Sequence, residues 1–350
     1  MRIIIAPDSF TGTLTSEQAA CAIRDGWKQS APSDEFWLIP MSDGGPGFIT
    51  ALQVALNGEI FEVEVKNLIG KEIHAPILIK NQIAFIESAK VVGPEFLEDA
   101  NRKPLSYNSF GIGQLIKFAA RKGVKKIVVG VGGTASIDGG EGLLQAIFDG
   151  NIDLKNPPEW IQNLELIAAT DVEVPLLGPR GAVRGFGRQK GLSEADFESA
   201  EICLEEKVKT FGRRFDGKDP SLILGAGAGG GIGYGLLALG AKRVSGLEVV
   251  FEATNLDEKL SKADLLITGE GSLDWQTLTG KVIVGLAQKA QKYGVATIAL
   301  AGRVLAGKRE LAAAGIVGAY GCVKESEPVP SNPYESLQAL AQRLGKTWST

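Results

Sequence analysis

Apolar residues fall in short β-branched runs, and each run is followed by a polar, glycine-containing turn and then by apolar positions at helical spacing. Arg2–Ala6 reads as a strand followed by PDSFTGTLT. Thr15, with Gln18 three residues on, then predicts a capping box opening a helix to about Lys28. Phe36–Pro40 predicts a second strand, followed by MSDGGPG and a helix over Phe48–Leu56. The same order recurs at Val128–Phe148 and at Leu265–Ala290. Val295–Leu300 with a helix from about Gly307, and Val317–Cys322 with a C-terminal helix, continue it. Repeated strand–turn–helix units predict an α/β fold, a doubly wound and mostly parallel sheet with ligands beyond the carboxyl ends of its strands.

Two regions depart from that rhythm. Phe61–Lys66, Glu72–Lys80 and Ile83–Glu87 alternate apolar and polar residues around tight turns, the pattern of an antiparallel meander. Residues 151–217 hold Pro157–Pro158, a short apolar run at Leu166–Ala169, the loop TDVEVPLLGPRGAVRGFGRQKGLS and a charged helix near Ala195–Arg213. Both regions are assigned to a smaller, inserted α+β domain covering 59–99 and 149–216. Residues 1–58, 100–148 and 217–350 form the Rossmann-like domain, with the site expected in the cleft between the two.

Composition narrows the chemistry. A chain of 350 residues suits two domains, and its 44% hydrophobic and 22% charged residues are those of a folded soluble protein. A net charge of −4 without a basic stripe disfavours nucleic acid and anionic membrane partners. Three widely spaced cysteines read as reduced thiols, which predicts a cytoplasmic protein, and one histidine leaves little room for a histidine-based triad or a His/Cys metal cage. No signal peptide is expected in MRIIIAPDS, and the uncharged stretch Leu222–Ala241 is too interrupted by glycine to read as a membrane span.

The surplus is glycine, 45 residues, clustered after apolar runs. In VVGVGGTASIDGGEGLLQ a buried strand breaks into Gly132–Gly133, Thr134, Asp138 and two further glycines before a helix resumes. Such a turn offers backbone N–H groups to an anion, while the acid suits Mg²⁺ or a hydroxyl proton; ordinary turn chemistry explains the same residues. Gly225–Gly233 contains a GxGxxG without a convincing strand or partner acid, so a phosphate loop or close helix packing is preferred to a dinucleotide site. GRVLAGK at Gly302–Lys308 spaces like a Walker A loop, but Arg309 follows it, and the match is read as accidental. Glycine turns, carboxylates at strand ends (Asp8, Asp43, Asp138, Asp274) and Lys281 together fit phosphoryl transfer. Asp171 and GRQKG fit the acceptor side, with Arg188 or Lys190 pairing a substrate carboxylate.

The segments APDSFTGTLT, PMSDGGPG, GVGGTASIDGGEGLLQA, ATDVEVPLLGPRGA with GRQKG, LGAGAGGGIGYGL and ITGEGSLDWQTLTGKV occur in this order, and the chain resembles the bacterial glycerate kinase family over essentially its full length. The resemblance implies ATP- and Mg²⁺-dependent phosphorylation of D-glycerate, more readily to the 2-phosphate. On that reading Gly132, Gly133 and Thr134, with Gly225, Gly227, Gly229, Gly230 and Gly231, hold the ATP phosphates. Asp43 or Asp138 holds Mg²⁺, and one of Asp8, Asp171 and Asp274 orients the acceptor hydroxyl. Lys281 neutralises transferred charge, and Ser9, Arg188, Gln189 and Lys190 bind the hydroxy acid.

Thr11, Pro46, Ile137, Val174 and Ser272 stand where the family usually has lysine, glutamate, asparagine, asparagine and arginine. Each lost charge-assisted hydrogen bond removes about 1.5–3 kcal/mol. A catalytically silent or substrate-shifted relative that binds nucleotide or hydroxy acid is therefore the rival expectation.

Overall fold

The computed structural model describes residues 1–10, 12–97, 102–275, 277 and 282–349. Its strands are β1 (Arg2–Ile5), β2 (Glu35–Leu38), β3 (Glu59–Lys66), β4 (Glu72–Lys80), β5 (Ile83–Glu87), β6 (Lys126–Gly130), β7 (Glu165–Ala169), β8 (Lys242–Val244), β9 (Leu265–Leu273), β10 (Ala296–Val304) and β11 (Ile316–Gly321). They form two sheets within two compact units.

The first unit comprises 1–42, 50–56 and 247–350. Its sheet has the order β11-β10-β9-β1-β2 and is parallel throughout. Alternation along β10 sends Ile298 and Leu300 to one face and Ala299 and Ala301 to the other. The first face is covered by the helices Ser16–Ser30 and Pro333–Trp348 through Ile23, Trp27, Leu337, Leu340 and Leu344. Gly26 lets the two helices close up, since a Cβ there would stand 2.0 Å from the Gln338 carbonyl oxygen. The second face packs on Ile283, Ala287 and Leu311. Burial on both faces is what continuous apolar strands such as Ile3–Ile5 require. Thr15 Oγ1 accepts the Gln18 N–H and Gln18 Oε1 accepts the Thr15 N–H, completing the predicted capping box.

The second unit comprises 43–49 and 57–246 and is the larger of the two. The predicted meander is there, with β3-β4-β5 antiparallel, but it does not stand alone. β6, β7 and β8 extend the same sheet in parallel, giving the order β3-β4-β5-β6-β7-β8. Residues 102–148 and 217–246 therefore pack in this unit, not with β1 and β2 as the sequence led us to expect. The physical reason lies in β5: Ala84, Phe85 and Ile86 are buried, and the strand takes β4 on one edge and β6 on the other. The helices Phe110–Arg121 and Glu141–Ile147 lie together, with Gly113 facing Ala146 and the Leu143 carbonyl too closely for any side chain.

Candidate active site

In the second unit β5, β6, β7 and β8 point the same way, so their carboxyl ends share one rim, the usual ligand edge of a parallel sheet. Residues 43–47 lie along it. Gly132 N–H donates to the Gly44 carbonyl at 3.0 Å. A Cβ on Gly132 would stand 2.6 Å from Gly45 Cα, one on Gly44 2.6 Å from the Ala169 carbonyl oxygen, and one on Gly246 2.0 Å from that of Asp43. Backbone therefore meets backbone at positions where only glycine fits. Glu87, fully buried at the end of β5, accepts the Gly47 N–H at 3.1 Å and the Ile49 N–H at 3.0 Å. Burial raises its pKa, and these two N–H donors work against that rise. Pro46 seats its ring on Gly133, whose φ is +72°.

This arrangement brings Asp43, Gly132, Gly133 and Thr134 together, with Asp171 just beyond the end of β7. Asp43 is exposed and its Oδ1 accepts the Gly45 N–H at 3.1 Å. Asp171 is half-buried.

Asp138 is placed differently from its expected role as a metal ligand. It is buried, and both carboxylate oxygens are taken up by the protein. Oδ2 accepts the Ser109 N–H at 2.8 Å, the Ser109 hydroxyl at 2.6 Å and the Gly142 N–H at 3.2 Å, while Oδ1 accepts the Gly140 N–H at 3.0 Å. Its charge serves the amino end of the helix Glu141–Ile147. Lys207 ties the same turn by donating to the Asp138 carbonyl at 3.0 Å and pairing with Glu141 at 2.9 Å.

GRQKG was expected in a loop but forms the end of the helix Ala182–Lys190, closed by Gly191 at φ +96°. Arg188 pairs with Glu194 on the surface and Gln189 is exposed. Lys190 turns inward, where its ammonium donates to the Thr134 carbonyl at 2.5 Å and to Thr134 Oγ1 at 2.9 Å. Its side chain is buried and both bonds go to Thr134, where the sequence led us to expect a substrate carboxylate. Burial lowers its pKa to about 7, with the Asp138 charge opposing the shift.

The pH consequence has a definite sign. Between about pH 7 and the ordinary lysine value of 10.5, the unfolded chain holds a proton that the folded chain has released, so this group adds stability as pH rises through that window. Thermal melts of the wild type and Lys190→Met in matched buffers should show the wild type gaining on the variant from pH 7 to 9. Parallel curves would contradict the assignment.

The second glycine stretch follows the close-packing alternative, not the phosphate-loop one. A Cβ would meet the Arg243 side chain at Gly225, the Pro175 carbonyl oxygen at 2.3 Å at Gly227 and Val131 at Gly229. At Gly230 it would stand 1.9 Å from the Ser136 carbonyl oxygen and at Gly231 2.3 Å from Gly139 Cα. Gly229, Gly230 and Gly231 let the chain lie against 131–139. Ile137 is a fully buried core residue, and the Val174 carbonyl accepts the Gly225 and Gly227 N–H groups, so both departures sit in packed positions.

The first unit carries the remaining acids. Asp8 N–H donates to the Gly269 carbonyl at 2.8 Å, which sets it beside the middle of β9, and Asp8 Oδ1 accepts the Ser9 N–H at 2.6 Å. Thr277 bridges two carboxylates: its hydroxyl donates to Glu270, and its N–H donates to Asp274 Oδ1 at 3.3 Å. Burial raises the Glu270 pKa, Thr277 counters it and Asp274 adds to it. Lys281 and Thr11 lie outside the described residues. Glu87 and Glu270 were not singled out from the sequence; the signal available was an acid at the end of an apolar run, IAFIE and LLITGE.

The chain matches the model of the glycerate kinase family over residues 3–148 and 150–349. It is 37% identical to a glycerate kinase of Halalkalibacterium halodurans over 347 residues, covering 92% of this chain and 90% of that protein. It is 36% identical over 327 residues to the glycerate 2-kinase of Escherichia coli K12, covering 86% and 85%. A crystal structure of a candidate glycerate kinase 2 from Salmonella typhimurium LT2 superposes with a TM-score of 0.80 at 32% identity, over 99% of this chain and 98% of that one.

Proposed function

The chain belongs to the glycerate kinase family and is a small-molecule kinase, and on that premise we propose that it transfers the γ-phosphoryl group of ATP to D-glycerate, at the 2-hydroxyl. One observation carries the site assignment: the Asp43 loop and the Gly132–Thr134 turn lie backbone against backbone at the carboxyl ends of parallel strands. The name of the Escherichia coli relative supports the 2-position.

In this reading the N–H groups of Gly133 and Thr134 receive phosphate oxygens, while that of Gly132 is spent on the Gly44 carbonyl. Asp43, exposed at the rim, fits Mg²⁺, which needs only one or two carboxylates when phosphates and water complete its shell; Asp138, buried within the protein, does not. The ion supplies neutralisation of charge on the phosphates. The acceptor hydroxyl gives up its proton to a positioned carboxylate, for which Asp171 in the second unit and Asp8 or Asp274 in the first are the candidates. Ser9, next to Asp8, is the residue we assign to the hydroxy acid, to which its hydroxyl would donate a hydrogen bond.

The experiment is ADP release with Mg-ATP and a panel of D-glycerate, L-glycerate and related hydroxy acids, with the product position read by phosphorus NMR. Turnover of D-glycerate to the 2-phosphate is expected. ATP raising the melting temperature with no ADP released on any acid would establish a silent binder instead.

A further inference from the structure

The turn from Gly132 to Ala135 is held at three points. Two are backbone bonds, Gly132 N–H to the Gly44 carbonyl at 3.0 Å and Ala135 N–H to the Val92 carbonyl at 2.8 Å. The third is Lys190, which grips Thr134 by its carbonyl and its hydroxyl at once. Desolvating an ammonium is costly, so a buried lysine is expected to be tightly coordinated where it sits. Here both acceptors are on one residue, the one immediately after a glycine pair. The helix presenting Lys190 is itself firmly seated: Val183 is buried, Gly187 faces Phe197 and Leu192 with little spare room, and Gly191 closes the last turn. Lys190 stands in that last turn, where the helix dipole favours a cation.

We infer that Lys190 is a positioning residue of the kinase: it sets Thr134, and with it the Gly133 and Thr134 N–H groups, before nucleotide arrives, and touches neither nucleotide nor acceptor. The inference rests on the reading that this turn receives the nucleotide. Two adjacent glycines have wide conformational freedom, and a turn left to sample it must be ordered at the expense of ligand affinity. Thr134 cannot be released from Lys190 without loosening the turn's downstream end.

The test is steady-state kinetics of Lys190→Met and Thr134→Val beside hydrogen exchange of the turn amides with and without Mg-ATP. Lys190→Met should raise KM for ATP or lower kcat by about tenfold, the loss of both hydrogen bonds to Thr134, while KM for glycerate stays within about twofold. Thr134→Val, which removes the hydroxyl and keeps the shape, should shift the same ATP parameters by about threefold. A Lys190→Met protein with a lower melting temperature but unchanged kcat and KM for ATP, assayed well below that temperature, overturns the inference, as does a rise confined to KM for glycerate. If Lys190→Met does not fold, Thr134→Val decides alone, and unchanged ATP parameters reject the inference. The underlying reading fails separately: with wild type, Mg-ATP that binds yet leaves exchange at 132–135 unaltered removes the nucleotide from this turn whatever the variants do.

Discussion

Replacing Asp138 by alanine is expected to unfold the protein near assay temperature, not to leave a folded and inactive kinase. The substitution strips the acceptor from the Ser109, Gly140 and Gly142 N–H groups and from the Ser109 hydroxyl, all in a buried setting. Each stranded buried donor costs about 1–3 kcal/mol, against a total stability of roughly 5–15 kcal/mol. A fall in melting temperature of roughly 10 °C or more follows for a unit of this size. Asp138→Asn, which keeps one acceptor oxygen, should lose less. A folded Asp138→Ala protein with unchanged melting and no turnover would instead make this carboxylate a ligand for the metal.

Asp43→Asn is expected to do the opposite, leaving melting nearly unchanged and lowering kcat by about 10²–10³-fold with Mg-ATP. The amide oxygen can still accept the Gly45 N–H, so the loop keeps its turn, while the charge that suits a divalent cation is gone. Turnover and thermal melting measured on the same preparation check both halves. Wild-type kcat in the variant would remove Asp43 from the reaction.

These opposite expectations show where reading the sequence stops. MSDGGPG and SIDGGEG present the same Asp-Gly-Gly, and nothing local separates the exposed Asp43 from the buried Asp138. What separates them is Ser109, 29 residues upstream, whose N–H and hydroxyl complete the burial of the second acid. Elements were legible where periodicity was strong: the meander strands Glu72–Lys80 and Ile83–Glu87, the helix Phe48–Leu56 and the Thr15 capping box stand where expected. Sheet membership was not legible, because β6 has the same apolar signature whether it pairs with β1 or with β5. The glycines of 225–231 were ambiguous for a related reason. A residue without a side chain looks the same in sequence whether it makes room for a phosphate or for a neighbouring carbonyl.

The strand order of the first unit bears on how the chain is made. β1 finds its partner β9 only across the whole second unit, Ile3 against Leu265, and the helix over its inner face begins at Pro333. On a ribosome adding about 5–20 residues per second, the Ile3–Ile5 ribbon waits roughly 15–65 s for those partners, while the intervening unit emerges with its sheet complete. The nascent amino-terminal strands are thus the segment with most need of a chaperone, and slow synthesis should lower the yield of this half before the other.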